Sequence, residues 1–177
     1  VTEGTRFTAH GVFIAVDGLG VLLRGTSGVG KSEIGLELIS RGHRLIADDA
    51  VEFRRSGDDI LGCCPPLLEG FIEVRGLGIL DVRRMYGEQA LSAASRLDLV
   101  IDLSIRAEAA ADERIDGLRS VYRVLGTEVP EISLPRRVGH NLAVLVEAAC
   151  RDHRLRREGY NAADELVARQ SRQLTPS

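Results

Sequence analysis

Apolar residues along this chain come in short runs broken by glycine or by charge, the pattern of short buried strands interleaved with a few helices. Ala9 to Val16 predicts a strand, Asp17-Gly18-Leu19-Gly20 a glycine-rich turn, and Val21 to Arg24 a second strand pairing back as a hairpin. Ile34, Leu38 and Ile39 recur at helical spacing within Glu33 to Arg41, and Gly42 is placed to end that helix in a left-handed cap. Arg44 to Ala47 predicts a buried strand that delivers Asp48-Asp49 at its end, with Val51 to Phe53 continuing extended. Ser56 to Asp59 reads as a turn and Ile60 to Pro66 as irregular or extended. Phe71 to Leu80 mixes β-prone residues with two glycines and a charged pair, which suits a backbone bent close to something better than a plain core strand. Asp81 to Ala90 predicts a short helix and Leu97 to Leu103 a strongly apolar strand. Arg106 to Asp116 reads as a loop or weak helix. Val121 to Leu125 and Ile132 to Leu134 are strand candidates separated by Gly126 and Pro130. Asn141 opens a long helix with Leu142, Leu145, Val146 and Ala149 on one face, running through the basic stretch Arg151 to Arg157 and stopping near Gly159. Asn161 caps a last helix whose first turn holds Asp164 and Glu165. With few apolar anchors, this end is expected to dock on another surface or another subunit.

Composition narrows the class without choosing a function. The chain has 177 residues, 44% hydrophobic and 28% charged, ordinary for one globular domain. No apolar run reaches the ~18 residues of a membrane span, and the first residues show no signal peptide. Cys63, Cys64 and Cys150 form no C-x-x-C pair and leave an odd count, which points to a reducing, cytoplasmic setting. A net charge of −3 offers no electrostatic reason to bind nucleic acid.

The chemistry is concentrated in Gly25-Thr26-Ser27-Gly28-Val29-Gly30-Lys31-Ser32, which matches G-x-x-x-x-G-K-[ST] between a predicted strand and a predicted helix. Glycines let the backbone approach an anion closely, and the positive end of the following helix backs the site. Lys31 is placed to reach terminal phosphates, and the Ser32 hydroxyl to hold magnesium. Phosphoryl transfer also needs a carboxylate base and charge-matching groups. Asp48, Asp49, Glu73, Asp81 and Asp102 are the candidates. Asp102 ends the apolar run Leu99-Val100-Ile101, as in a Walker B strand, although a strand-end aspartate capping a turn fits equally. The adjacent carboxylates of Asp48 and Asp49 repel, so at least one is expected to titrate high. A turn-initiating pair is the plainer alternative.

The order His10-Gly11, the glycine-rich loop with Glu33, Gly42-His43-Arg44-Leu45-Ile46-Ala47-Asp48-Asp49 and Glu73-Val74-Arg75-Gly76-Leu77-Gly78-Ile79 resembles the catalytic domain of bacterial HPr kinase/phosphorylases. Val129-Pro130-Glu131-Ile132 and Gly139-His140-Asn141-Leu142-Ala143 fall where that family has similar segments. The resemblance implies an α/β fold like that of phosphoenolpyruvate carboxykinase, with a C-terminal helical part over about 138–177. It implies phosphorylation of a serine of the phosphocarrier HPr with ATP and magnesium, phosphorolysis of phosphoserine-HPr by inorganic phosphate to give pyrophosphate, and a homohexamer. It places the base on Asp49, metal-shaping on Asp48, magnesium on Ser32 and Glu73, and phosphate handling on Lys31, His10 and Arg114. It covers only the catalytic half of the family's usual chain, so the expectation is a single domain over 1–177 without the domain that usually precedes it. The loop and Asp49 alone would equally suit a kinase of another protein or of a small molecule, and the loop alone a nucleotide-binding regulator.

One departure bears on chemistry. His140 stands where the family typically has arginine before Asn141, in a segment associated with the dephosphorylation direction. An imidazole cannot bind phosphate bidentately as a guanidinium does, so phosphorolysis is expected to be weaker than kinase activity, with Arg136 or Arg137 as compensation. Incubation with phosphoserine-HPr and inorganic phosphate checks this; vigorous pyrophosphate release contradicts it.

Overall fold

The computed structural model describes residues 6–104, 118–135 and 141–174. Its first strands, β1 (Arg6–His10), β2 (Val12–Val16) and β3 (Leu19–Arg24), lead into helix α1 (Lys31–Ser40), followed by β4 (Arg44–Ala47), β5 (Ala50–Ser56) and β6 (Asp59–Cys63). A hairpin of β7 (Phe71–Val74) and β8 (Gly78–Asp81) leads to the short helix α2 (Val82–Tyr86), then β9 (Ala94–Arg96), β10 (Leu99–Asp102), β11 (Leu118–Val124) and β12 (Thr127–Ser133). Helices α3 (Leu142–Arg157) and α4 (Ala162–Leu174) close the chain. Six strands form one mixed sheet in the order β11-β12-β10-β3-β2-β4, and four form a second in the order β1-β5-β6-β9.

The central strands are apolar on both faces because both are covered. Val12, Ile14 and Val16 of β2 and Val21 and Leu23 of β3 pack with Ile34 and Leu38 of α1 and Val146 of α3. Phe13, Leu22 and Val100 point the other way, into a core with Val51, Phe53 and Ile60 of the second sheet. The alternation that a half-solvated strand would show is therefore absent here. Helix α3 buries Ala143, Val146, Cys150 and His153, a face shifted from the one expected; Leu142 and Ala149 flank it half-buried.

Other departures have local causes. The predicted strand Ala9 to Val16 is two strands in different sheets, broken at Gly11. Asp17 and Gly18 alone make the turn, at φ +49° and +83°, so Val16 pairs with Leu19 and β3 begins two residues early. Of the irregular or extended reading of Ile60 to Pro66, the extended one holds from Ile60 to Cys63, where β6 pairs with both β5 and β9. Pro130 lies inside β12 rather than between strands; pairing with β10 starts one residue later, at Glu131, so its missing N–H is tolerated. The reading of Arg106 to Asp116 falls outside the described residues. No helix among the described residues is long and apolar enough to cross a membrane.

Where the two sheets meet, Gly20 touches the carbonyl of Arg96: an added Cβ would stand 1.8 Å from that oxygen. Backbone, unlike a side-chain tip, cannot yield cheaply. Gly20→Ala is expected to destabilise the chain by about 3 kcal/mol, read as a lower urea midpoint at unchanged slope.

Candidate active site

Strands β3 and β4 both run antiparallel to β2, so their C-terminal ends open at the same edge of the large sheet. That topology brings the glycine-rich loop after β3 beside Asp48 and Asp49 after β4. The loop turns through Gly25, Gly28 and Gly30 at φ +150°, +77° and +93°, the last as N-cap of α1. No side chain caps this helix, so its first amide groups remain for an anion. Lys31 is buried, and its Nζ donates to the carbonyls of Gly25 at 2.9 Å and Thr26 at 3.1 Å. Burial lowers its pKa, against the raising influence of Asp48, Asp49 and Glu33.

The same edge is a corner shared by both sheets. The chain passes from the small sheet to the large one at Gly11, between β1 and β2, and back again at Asp48-Asp49, between β4 and β5. The Gly11 amide donates to the Asp49 carbonyl at 3.1 Å, tying the two crossings together. A Cβ on Gly11 would come within 2.5 Å of the Leu23 carbonyl oxygen, so only glycine passes there. Asp49 has φ +68°, and Ala50 N donates to Asp48 O at 2.8 Å, an i→i+2 bond that makes Asp49 the centre of a γ-turn with positive φ. Such a conformation is strained for any residue with a side chain. It aims the Asp49 carboxylate into the cleft with 64% of the side chain exposed, 3.0 Å from His10 Nδ1.

Asp48 is its opposite. It is 5% exposed, accepts the Ser32 hydroxyl at 2.9 Å on one oxygen and the Glu73 amide at 2.8 Å on the other. Burial raises its pKa; those hydrogen bonds oppose the shift, and the Asp49 charge adds to it only slightly. The carboxyl pushed upward is thus Asp48, and desolvation rather than pair repulsion is the main cause. Because Ser32 gives its proton to Asp48, its lone pairs stay available to a cation.

A cleft of about 380 Å³ is lined by His10, Ser27, Gly28, Gly30, Lys31, Ser32, Asp49 and Glu73. Gly25, Thr26 and Val29 form the frame of the loop: two carbonyls hold Lys31, and Val29 is buried beneath. Among the described residues no three metal-binding side chains form a cage. Magnesium needs none, since it keeps waters and takes phosphate oxygens beside one or two protein oxygens. The Ser32 hydroxyl and Glu73 carboxylate, both on the cleft, fit that requirement.

Arg114 lies outside the described residues, as do Arg136, Arg137 and His140. Asp102 is not in the cleft; it accepts the Ser104 amide at 2.8 Å and faces Arg24, the turn-capping role rather than the Walker B one. That position relative to the loop serine is held by Asp48. Two participants went unassigned from sequence. Gly11 enters the resemblance only beside His10, and nothing local to it marks a change of sheet. Arg75, at the tip of the β7-β8 hairpin, lines the cleft against Gly28, where an added Cβ would meet its guanidinium at 3.0 Å; the glycine-bearing segment around it could have pointed there.

A family model described as HPr Serine kinase C-terminal domain matches residues 4–170. An HPr kinase/phosphorylase of Caldanaerobacter subterraneus subsp. tengcongensis is 47% identical over 171 residues, covering 96% of this chain and 56% of that protein. One from Azoarcus sp. is 48% identical over 171 residues, covering 96% and 55%. The chain spans about half the length of these curated relatives. The solved structure of the Hpr(Ser) kinase/phosphatase from Coxiella burnetii superposes with a TM-score of 0.82 at 35% identity, over 90% of this chain and 98% of that one. With a phosphate-binding loop, a strained aspartate at the sheet corner and this agreement along nearly its whole length, the chain belongs to the HPr serine kinase C-terminal domain family.

Proposed function

We propose that this chain is the catalytic unit of an ATP-dependent protein serine kinase acting on HPr, able also to run phosphorolysis of phosphoserine-HPr. The observation that carries the reading is the meeting, in one cleft, of an uncapped loop-helix anion site and the exposed, fixed carboxylate of Asp49. Similarity to proteins named HPr kinase/phosphorylase supports HPr as the acceptor. The same family membership supports a phosphoenolpyruvate-carboxykinase-like fold. Three free thiols suit a cytoplasmic setting, and the exposed Leu166 and Val167 of α4 suit assembly into a homohexamer.

In the forward direction the β- and γ-phosphates of ATP lie on the amides at the start of α1, with Lys31 turning its ammonium to their oxygens. Asp49 accepts the proton of the acceptor serine as its oxygen bonds the γ-phosphorus and the bond to the β-phosphate oxygen breaks. His10, at 3.0 Å, donates from Nδ1 and holds the carboxylate in its proton-accepting orientation. Arg75 brings positive charge to the transferred group, and the family resemblance gives Arg114 the same role. In reverse, inorganic phosphate attacks phosphoserine, pyrophosphate forms, and the protonated Asp49 returns its proton to the serine oxygen. Ser32 and Glu73 would hold magnesium, which would supply charge neutralisation of the phosphates; Asp48 orients the Ser32 hydroxyl for that role.

Incubation with HPr, ATP and magnesium, followed by mass spectrometry of the HPr serine, tests the reading directly. An unmodified HPr overturns it. Asp49→Asn is expected to lower transfer on the order of 10²–10⁴-fold with nucleotide affinity unchanged; surviving transfer removes Asp49 as base. Asp49→Gly, which relieves the γ-turn, is expected to gain about 1 kcal/mol of stability while losing transfer, read by urea denaturation beside the assay.

Asp48 gives a further test. An asparagine there would donate to the Ser32 oxygen and occupy a lone pair that magnesium needs, so Asp48→Asn is expected to weaken magnesium affinity about tenfold, measured by calorimetry in the presence of ADP. Its folded pKa lies above the unfolded value, so the folded chain holds the extra proton between the two. Stability contributed by this group is therefore present below the unfolded value and lost as pH rises through the folded one. Urea midpoints from acid to neutral pH are expected to show that component in the parent and not in Asp48→Asn.

A further inference from the structure

Glu131 is a carboxylate that the proposed chemistry leaves unused. It sits in β12, 8% exposed, with both oxygens engaged: Oε2 accepts from Arg24 Nη1 at 2.7 Å and Oε1 from the Ser120 hydroxyl at 2.9 Å. Arg24 is the last residue of β3, and β10 lies between β3 and β12. The ion pair therefore crosses over a neighbouring strand. Two further contacts fix the guanidinium, the Asp102 carboxylate at 3.9 Å and the Tyr122 ring at 5.2 Å from its centroid. The next residue along the chain is Gly25, whose carbonyl holds Lys31.

A half-buried ion pair of this kind, with Arg24 37% exposed over a buried Glu131, is a poor way to gain stability. Solvent screens its attraction while the carboxylate still bears a desolvation cost, so apolar residues of similar volume do about as well. What it adds is a fixed position. The sheet ladder ends where Arg24 pairs with Asp102, and beyond that the backbone leaves the sheet to wind around the phosphates. We propose that Glu131 is a positioning residue for the phosphate loop, acting through Arg24 to brace the end of β3 and so set the Gly25 and Thr26 carbonyls that aim Lys31. The inference rests on the reading that this loop binds ATP–magnesium.

The decisive variant replaces the pair with apolar residues, Arg24→Met together with Glu131→Leu, and two quantities are read: the urea midpoint and the calorimetric affinity for ATP–magnesium. A merely structural pair would be restored in both by good apolar packing. The expected result is a midpoint at or above the parent's with affinity reduced on the order of tenfold. Parent-like affinity in the double variant overturns the proposal. If that variant does not fold, Arg24→Lys decides, since a lysine keeps the charge but cannot meet Glu131 while stacking on Tyr122; unchanged affinity there overturns it equally. A parent chain that binds no ATP–magnesium removes the nucleotide reading and this inference with it, whereas a parent that binds alongside an equally tight variant removes the inference alone.

Discussion

One hydrogen bond, from the Gly11 amide to the Asp49 carbonyl, joins the two places where the chain changes sheets. Two layers stacked face to face usually share few strands, and a strand that leaves one for the other must bend sharply. Here two such bends lie side by side, and the small space between them admits glycine on one and forces positive φ on the other. The corner thus decides where His10 and Asp49 stand, and the parallel course of β3 and β4 decides that the phosphate loop faces them. The packing of the sheets is a condition for the chemistry as much as for the fold.

The corner also divides two adjacent carboxylates. Asp48 ends the buried strand and spends both oxygens on protein donors, one from the loop serine and one from the hairpin that carries Glu73. Asp49, one residue on, is outside the sheet and keeps its carboxylate for the cleft. Identical side chains thus acquire different surroundings, one a strut joining three segments and the other exposed on the cleft beside His10.

The loop was legible in the sequence because its spacing reports backbone chemistry directly: glycines where φ is positive, then lysine and serine at the helix start. The helices were legible for a similar reason, since Asn141 and Asn161 accept the amide bonds expected of caps. What the sequence hid is tertiary. Nothing local to Ala9 to Val16 says that its halves belong to different sheets; that follows only from Asp49 lying across from Gly11. One of the two buried positions of β6 is Gly62, which carries no apolar signal, and the buried face of α3 includes the polar His153, so neither face could be read from apolar spacing alone. Asp102 had the composition of a Walker B residue, but the strand that runs to the loop serine is β4, and only strand order distinguishes them.

The two bonds from Lys31 to the carbonyls of Gly25 and Thr26 have a conformational consequence. A glycine-rich loop left to itself would sample many shapes, and a ligand would have to select the rare correct one. By lying across its own loop, the lysine acts as an internal template and keeps the loop wound. A phosphate arriving there would need only that one ammonium exchange one set of oxygens for another. The floor of the cleft is thus built before any ligand reaches it, and only the ammonium has to move.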